Sequence, residues 1–168
     1  MDSYIMKTLV LMRHAKSDWS SANLADHDRP LNARGNRAAP RMAQLLQDEQ
    51  VAVDVILASS ACRVQQTLQH LTETWAGEAV VMTEPSLYLA SVSEIKSHID
   101  VLHDSWNSAM VIGHNPGLGA MLCTLSDQDL DMPTACVAVL QADTTSWRDS
   151  IRKCKWHLHA YWKPRDFE

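Results

Sequence analysis

Short apolar runs alternate along this chain with longer segments of helical periodicity, and this alternation limits the possible fold more than any other feature. Apolar runs of about four to eight residues are typical of buried strands, whereas apolar residues spaced three or four apart are typical of helices. Strands are predicted at 7–12, 53–57, 79–82 and 109–112, and helical segments lie between and after them. Repeated strand and helix units predict an α/β fold with a mostly parallel sheet.

Capping residues mark the starts of the predicted helices. Asn32 can cap a helix over 32–49, although Pro40 lacks an amide donor and should kink or restart that helix. Ser60 can cap a second helix, and Ser91 with Glu94 forms a capping box for a third. The apolar residues on the faces of these two helices are Val64, Leu68, Leu71 and Trp75 in the second and Ile95, Ile99 and Leu102 in the third.

The last third of the chain predicts a fourth helix and two more strands. Asn115 can cap a helix whose first position is Pro116, so that this helix begins directly after His114. Strands are predicted at 135–140 and 153–162, with a turn-like connection at 143–150. In the last strand, strict alternation places one set of residues on a single face: Cys154, Trp156, Leu158, Ala160 and Trp162.

Length and composition predict one domain over residues 1–168 that needs neither disulfides nor a structural metal. The formal charge of −5 gives no overall attraction to nucleic acid or to acidic membranes. The four cysteines have neither zinc-type nor redox-type spacing, so they are interpreted as buried thiols of a cytoplasmic protein. Residues 1–11 are too short and too weakly basic for a secretory signal, and no stretch approaches the roughly 20 apolar residues that span a bilayer.

Two arginines and two histidines follow predicted strands. Arg13 and His14 come after the first strand, Arg63 opens the helix after the second, and His114 follows the fourth. Ligands of parallel α/β sheets bind at the carboxyl ends of the strands, where helix N-termini favour anions. The guanidinium fork matches phosphate oxygens, and neighbouring cations would keep His14 neutral and able to attack phosphorus. The sequence therefore predicts a phosphate pocket.

Each of these segments also has an interpretation without catalysis. The Arg13–His14 pair could be a surface feature, and residues 113–116 could be only a strand-to-helix turn. Arg63 is harder to explain in this way, because a cation at a helix start lies at the positive end of the helix dipole. An anion beside Arg63 would resolve that conflict.

Four segments together resemble the histidine phosphatase superfamily, and most closely its SixA-type phosphohistidine phosphatase branch. They are 11–17, with Ala15 where glycine is common, 29–35, 59–67 and 111–117. The resemblance implies a three-layer α/β/α sandwich of the phosphoglycerate mutase type. It further implies that His14 is the nucleophile, Arg13 and Arg63 are the phosphate clamp, and His114 is a further phosphate contact. No metal or cofactor is implied.

Further contacts and the general acid are less well defined. Ser17, Ser20 and Asn115 are predicted to contact the substrate, although mutase-like members often have a phosphate-contacting asparagine at the place of Ser20. The resemblance places an acid in the region of Glu84, which could equally be a solvated loop carboxylate. Asp18 is a less favoured substitute, and Glu94 is explained by capping.

The leading hypothesis is a phosphatase that acts on phosphohistidine in proteins or on small phosphomonoesters through a phosphohistidine on His14. The alternatives are a non-catalytic phosphoprotein-binding module, a sugar-phosphate phosphatase or mutase-like enzyme, and a metal-dependent phosphoesterase that activates water. His27 lies between two aspartates, but adjacent residues rarely point together, so a loop role is preferred over a metal site. His70, His98, His103, His157 and His159 are predicted to lie on the surface.

Overall fold

The chain forms a six-stranded sheet in a computed structural model that describes residues 6–167. The strands are β1 (Met6–Arg13), β2 (Val55–Ser59), β3 (Val80–Glu84), β4 (Ser108–Gly113), β5 (Val137–Asp143) and β6 (Trp156–Trp162). Their order in the sheet is β3-β2-β4-β1-β5-β6. The pairs β1–β4, β2–β4 and β2–β3 are parallel, whereas β5 is antiparallel to both β1 and β6. The mostly parallel sheet is thus confirmed.

Helices cover both faces of this sheet. They are α1 (Ala33–Asp48), α2 (Cys62–Thr74), α3 (Val92–Asp100), α4 (Gly117–Ser126) and the short α5 (Ser150–Lys153). The buried side chains of α1 and α2 pack with one face of the sheet. The buried side chains of α3, α4 and α5 pack with the opposite face. Because the central strands are apolar on both faces, each face needs a helical cover, and the three-layer α/β/α sandwich is confirmed.

The capping predictions are confirmed for two helices. The side chain of Asn32 accepts a hydrogen bond from the backbone N–H of Gly35 at 2.9 Å, and Ser91 with Glu94 forms the reciprocal capping box of α3. The helix does not restart at Pro40, because α1 runs without a break from Ala33 to Asp48. Its buried face contributes Ala39, Met42, Ala43 and Leu46 to the core, which outweighs one lost backbone hydrogen bond.

Two other helix starts differ from the prediction. Strand β2 ends at Ser59, two residues later than predicted, so Ser60 lies in the turn and Ala61 takes the cap position of α2 without a side-chain cap bond among the described residues. Helix α4 begins at Gly117 with Pro116 at the cap position. The Asn115 side chain still accepts a hydrogen bond from the Gly119 N–H at 3.0 Å, so its capping role persists from one position farther away.

The predicted single face of β6 is wrong because a β-bulge interrupts the strand. Val139 of β5 pairs with Ala160, whereas the next residue, Leu140, pairs with Leu158, so one residue of β6 is skipped. An extra residue reverses the alternation beyond it. Trp156 and Leu158 therefore pack on the α4 side of the sheet, whereas Ala160 and Trp162 pack on the α1 side.

The cysteine interpretation is correct for only one residue. All four thiols are free, but Cys136 alone among them is buried, and Cys62, Cys123 and Cys154 are partly exposed. The predicted start of the last strand at residue 153 is wrong, because α5 covers Ser150–Lys153 and β6 begins only at Trp156. Residues 1–5, which belong to the segment predicted not to be a secretory signal, lie outside the described residues. Between residues 6 and 167, no helix is long and apolar enough to cross a membrane.

Candidate active site

The four predicted residues converge at the carboxyl edge of the sheet. Strands β2, β4 and β1 are parallel neighbours, so the segments that follow them leave the same edge. The Nε of Arg63 lies 3.3 Å from Nε2 of His14, and an Nη of Arg63 lies 3.3 Å from Nδ1 of His114. The two imidazole rings are 5.3 Å apart between centroids. Arg63 thus bridges the two histidines.

The imidazole of His14 has a defined proton arrangement. Its Nδ1 lies 2.7 Å from the carbonyl oxygen of Ala15. Because a carbonyl oxygen can only accept, Nδ1 carries the proton, and Nε2 keeps the lone pair that accepts from Arg63. Burial lowers the pKa of His14 to about 3, with the nearby charge of Arg63 acting in the same direction. His14 is therefore neutral at physiological pH, with an unprotonated Nε2.

The backbone around His14 is fixed by close packing. The N–H of Ala15 donates to Oγ1 of Thr67 at 3.1 Å, and that hydroxyl donates to the Arg63 carbonyl at 2.7 Å. A side chain at Gly35 would place its Cβ 2.1 Å from the carbonyl oxygen of Lys16. The start of α1 can therefore approach the His14 loop only because residue 35 is glycine.

Arg63 is held by a carboxylate that the sequence analysis did not select. Its guanidinium donates to the Asp26 backbone carbonyl at 2.8 Å and to the Asp26 carboxylate at 3.1 Å. Tyr88 donates a hydrogen bond to the same carboxylate. This bond and the charge of Arg63 hold the pKa of Asp26 below its usual value, so Asp26 is ionised. The anion that we expect beside Arg63 at the start of α2 is therefore the carboxylate of Asp26.

His114 is oriented by a second residue missing from the sequence prediction. Nδ1 of His114 accepts from Arg63, so Nε2 carries the proton and donates to Oγ of Ser59 at 2.8 Å. Burial lowers the pKa of His114 to about 4, and Arg63 contributes to this shift. The ring of Tyr88 contacts that of His114 edge-on at 5.3 Å. The signal for Ser59 was its place at the end of β2, directly across from β4.

These side chains line a cavity of about 340 Å³ that is rich in positive charge. Arg13, Lys16, Arg29 and Arg63 line it, and Asp26 is the one carboxylate among its described lining residues. The Nε of Arg13 is buried and has no hydrogen-bond partner within residues 6–167. Three larger cavities, of about 660, 450 and 350 Å³, are lined by none of the four predicted residues. The smaller cavity is therefore the candidate active site, and its donors suit an anion.

The comparison with known proteins agrees with this geometry. The sequence profile of the histidine phosphatase superfamily (branch 1) matches residues 9–87, a range that includes Arg13, His14 and Arg63. The chain belongs to the histidine phosphatase superfamily. An uncharacterised protein of Mycobacterium tuberculosis is 34% identical to this chain over 154 residues, which cover 85% of this chain and 94% of that protein.

Solved structures of candidate SixA phosphohistidine phosphatases share the fold of this superfamily member. The protein from Nakamurella multipartitia is 29% identical with a TM-score of 0.82, and the match covers 95% of this chain and 96% of that one. The protein from Agrobacterium tumefaciens is also 29% identical, with a TM-score of 0.80 and coverage of 94% and 98%. The similarity extends over nearly the whole histidine phosphatase fold.

Two of the four remaining predicted site residues line the cavity of this histidine phosphatase, and two do not. Ser17 is buried and lines the cavity. Asn115 is half-buried and also lines it, and its amide donates to the Met132 carbonyl at 2.9 Å. Ser20 is exposed and does not line it. Glu84 ends the edge strand β3 and is also not a lining residue. A direct role for Ser20 or Glu84 thus stays a prediction without support from this geometry.

Three histidines outside the predicted set of four lie near the cavity or on β6. His27 lies near the cavity, where its Nε2 is 2.9 Å from Oγ of Ser60 and its ring is 5.0 Å from that of Tyr88, in keeping with a loop role. His157 and His159 are exposed on β6. Among residues 6–167, no group of three or more His, Cys, Asp or Glu side chains is arranged to hold a metal ion.

Replacing Asp26 with asparagine is expected to tighten the binding of inorganic phosphate by about fivefold, because the substitution removes a negative charge beside the anion site. Asparagine keeps a side-chain oxygen for Arg63, and the backbone carbonyl contact is unaffected. The dissociation constant should be measured by calorimetry. Asp28→Asn removes a charge from the neighbouring exposed carboxylate and should change the constant less than twofold. Weaker binding in Asp26→Asn would contradict the expectation.

Proposed function

We propose that this protein is a metal-independent phosphatase that acts through a phosphohistidine on His14. The observation that carries the proposal is the unprotonated Nε2 of His14, which lies beside Arg63 in a cavity lined by cations. Nε2 forms a bond to phosphorus while the bond from phosphorus to the leaving group breaks. Water then attacks phosphorus, releases inorganic phosphate and restores the neutral imidazole.

The surrounding donors stabilise the charge on the transferring phosphoryl group. Arg13 and Arg63 provide fixed guanidinium donors, and the buried Nε of Arg13 lacks a partner within the described part of the chain. A phosphate oxygen would supply that partner. His114 is held by Ser59 and Arg63 and faces the same space. Donors that are already positioned do not have to reorganise during the reaction, and this is the main source of their catalytic effect.

The lack of a suitable acid favours phosphohistidine over alkyl phosphates as the substrate. Asp26 is the one carboxylate lining the cavity within residues 6–167, and its depressed pKa keeps it ionised and unable to donate a proton. An imidazole leaving group departs as a neutral or protonated ring, whereas an alkoxide needs a proton from an acid. The site is therefore better suited to cleaving P–N bonds or the P–O bonds of acidic leaving groups.

The rim of the cavity favours a protein substrate. Trp19 is 71% exposed and Leu89 is 52% exposed, and both line the cavity. The guanidinium of Arg29 stacks over the Trp19 ring at 3.3 Å and holds it in place. Exposed aromatic and apolar side chains beside arginine are enriched in protein interfaces. The SixA proteins of similar fold and 29% identity are named for phosphohistidine in their descriptions, which is consistent with this choice.

A substrate panel tests the proposal. The purified protein should hydrolyse a phosphohistidine peptide and an aryl phosphate, and glycerol phosphate at least about a hundredfold more slowly, because general acid catalysis typically contributes a factor of this size. Activity should persist in excess chelator. Hydrolysis of glycerol phosphate as fast as that of the phosphohistidine peptide would contradict the substrate assignment. Loss of activity on chelation would contradict the metal-independent mechanism. Tight binding of the phosphopeptide without release of phosphate would instead identify a binding module.

A further inference from the structure

We infer that a strip of basic surface beside the catalytic cavity binds an acidic segment of the phosphoprotein substrate. This inference rests on the proposed function and narrows its substrate class to phosphohistidine flanked by carboxylates. The strip, here called the basic track, consists of Lys16, Arg34, Arg37, Arg41, Lys163 and Arg165. Lys16 also lines the catalytic cavity, whereas the other five residues do not.

The basic track is continuous with the catalytic cavity. The cavity of about 340 Å³ shares Lys16 and Thr134 with a neighbouring cavity of about 130 Å³. That second cavity shares Arg34 and Ala38 with a third, of about 350 Å³, on the surface of α1. A ligand that places its phosphoryl group on His14 can therefore extend its chain along the two outer cavities.

Distant parts of the sequence supply the same charge to this surface. Arg34, Arg37 and Arg41 are three and four residues apart in α1, so they lie on one face of the helix. This face is exposed, whereas the other face of α1 is buried against the sheet. Lys163 and Arg165 come from the segment after β6. Basic residues brought together from both ends of the chain are not explained by local helix formation.

Three of the six cations in the basic track are not neutralised by a carboxylate in the described part of the chain. Within residues 6–167, Arg37, Arg41 and Arg165 make no ion pair, and no carboxylate lines the two outer cavities. Lys163 approaches Asp131 at 4.0 Å, and that carboxylate is largely exposed. Like charges four residues apart on a helix repel each other, so Arg37 and Arg41 destabilise free α1. A bound carboxylate would relieve this repulsion.

The length of the basic track along α1 fits a short acidic peptide. From Arg34 to Arg41 the helix rises about 10 Å, which an extended chain covers in about three residues. The whole protein carries a formal charge of −5, which gives no overall attraction to the polyanionic backbone of a nucleic acid. A short peptide with a few carboxylates next to the phosphohistidine needs only the local positive charge of the basic track.

A matched pair of substrates and a matched pair of variants test the inference. The substrates are two phosphohistidine peptides, identical except that three flanking residues are glutamate in one and glutamine in the other. Aryl phosphate serves as a substrate that reaches only the catalytic cavity. The variant Arg37→Glu/Arg41→Glu reverses the outer end of the basic track. Arg148→Glu/Arg152→Glu makes the same change of charge around α5, on the opposite face of the sheet.

The wild-type protein should prefer the glutamate peptide, and added salt should reduce that preference. Arg37→Glu/Arg41→Glu should lower kcat/KM for the glutamate peptide about tenfold and leave aryl phosphate hydrolysis within about twofold, because charge complementarity acts on the flanking residues alone. The control variant should change neither. Equal kcat/KM of the wild type for both peptides, or equal losses in both variants, would overturn the inference. Stronger competition by a single-stranded oligonucleotide than by polyglutamate would also overturn it.

Failure of the underlying phosphatase function would give a different result. In that case neither the aryl phosphate nor either peptide would be hydrolysed by the wild-type protein. Active hydrolysis of aryl phosphate with no peptide preference would reject the docking surface and retain the phosphatase.

Discussion

Replacing His14 with asparagine is expected to lower kcat/KM for aryl phosphate by at least about a thousandfold, because loss of a covalent nucleophile removes the reaction path and leaves only binding and electrostatic effects. The change should also abolish any phosphoenzyme. Asparagine is smaller than histidine and has no lone pair that could act at Nε2. The buried position of His14, with 5% exposure, means that no water-exposed residue can easily take its place.

The phosphoenzyme gives the more decisive measurement. Wild-type protein quenched during turnover should carry a phosphoryl group that is labile in acid and stable in base, and peptide mass spectrometry should place it on His14. His159→Asn is a suitable control, because His159 is exposed on β6 and lies outside the catalytic cavity. A phosphoryl group on a residue other than His14 would refute the mechanism. So would a kcat/KM of His14→Asn within tenfold of the wild-type value.

Replacing Arg63 with lysine is expected to lower kcat/KM about a hundredfold or more, because removing one preorganised donor to a transferring group typically has this effect. Lysine keeps the positive charge but has one nitrogen in place of the planar fork. A single ammonium cannot reach Nε2 of His14, Nδ1 of His114 and the Asp26 carboxylate with the geometry that Arg63 has. The loss in kcat/KM therefore reports the geometry of the Arg63 donors and not the positive charge.

Stability and activity can be separated in this variant. Thermal unfolding should be recorded beside the kinetics, and Arg148→Lys provides the same chemical change at an exposed position. The control should retain wild-type kinetics. If Arg63→Lys folds normally and loses less than about fivefold in kcat/KM, the proposed clamp is wrong, because an essential bidentate contact cannot be replaced at so small a cost. A variant that fails to fold should be replaced by Arg63→Gln, which removes the charge and keeps a planar group.

Asp26 explains how Arg63 can be buried before substrate arrives. With 3% exposure, the guanidinium has little water around it, and an unpaired buried charge would strongly destabilise the fold. The carboxylate of Asp26 compensates this charge, and Tyr88 in turn holds the carboxylate. An incoming phosphate must share or displace that interaction. The contact between Asp26 and Arg63 thus competes with the binding of phosphate, and the Asp26→Asn experiment measures this competition.

The sequence alone determined the layers of the fold and the four central residues of the site. Alternating strand and helix patterns depend on local spacing, and Asn32 and the Ser91–Glu94 box cap their helices through bonds within one turn. Arg13, His14, Arg63 and His114 were recognisable because each lies at or soon after the end of a strand, and parallel strands end at a common edge. Such features can be predicted because each depends on neighbours close in the sequence.

The tertiary structure alone decided which other side chains complete the site and where alternation fails. Asp26 reaches Arg63 from 37 residues away and Ser59 reaches His114 from 55 residues away. Ser59 has a local signal in its position at the end of β2, but the local sequence does not show that either pair is in contact. The bulge in β6 likewise depends on pairing with β5 and moves Ala160 and Trp162 to the other face. These outcomes depend on how separate elements pack in space, and local periodicity carries no information about that packing.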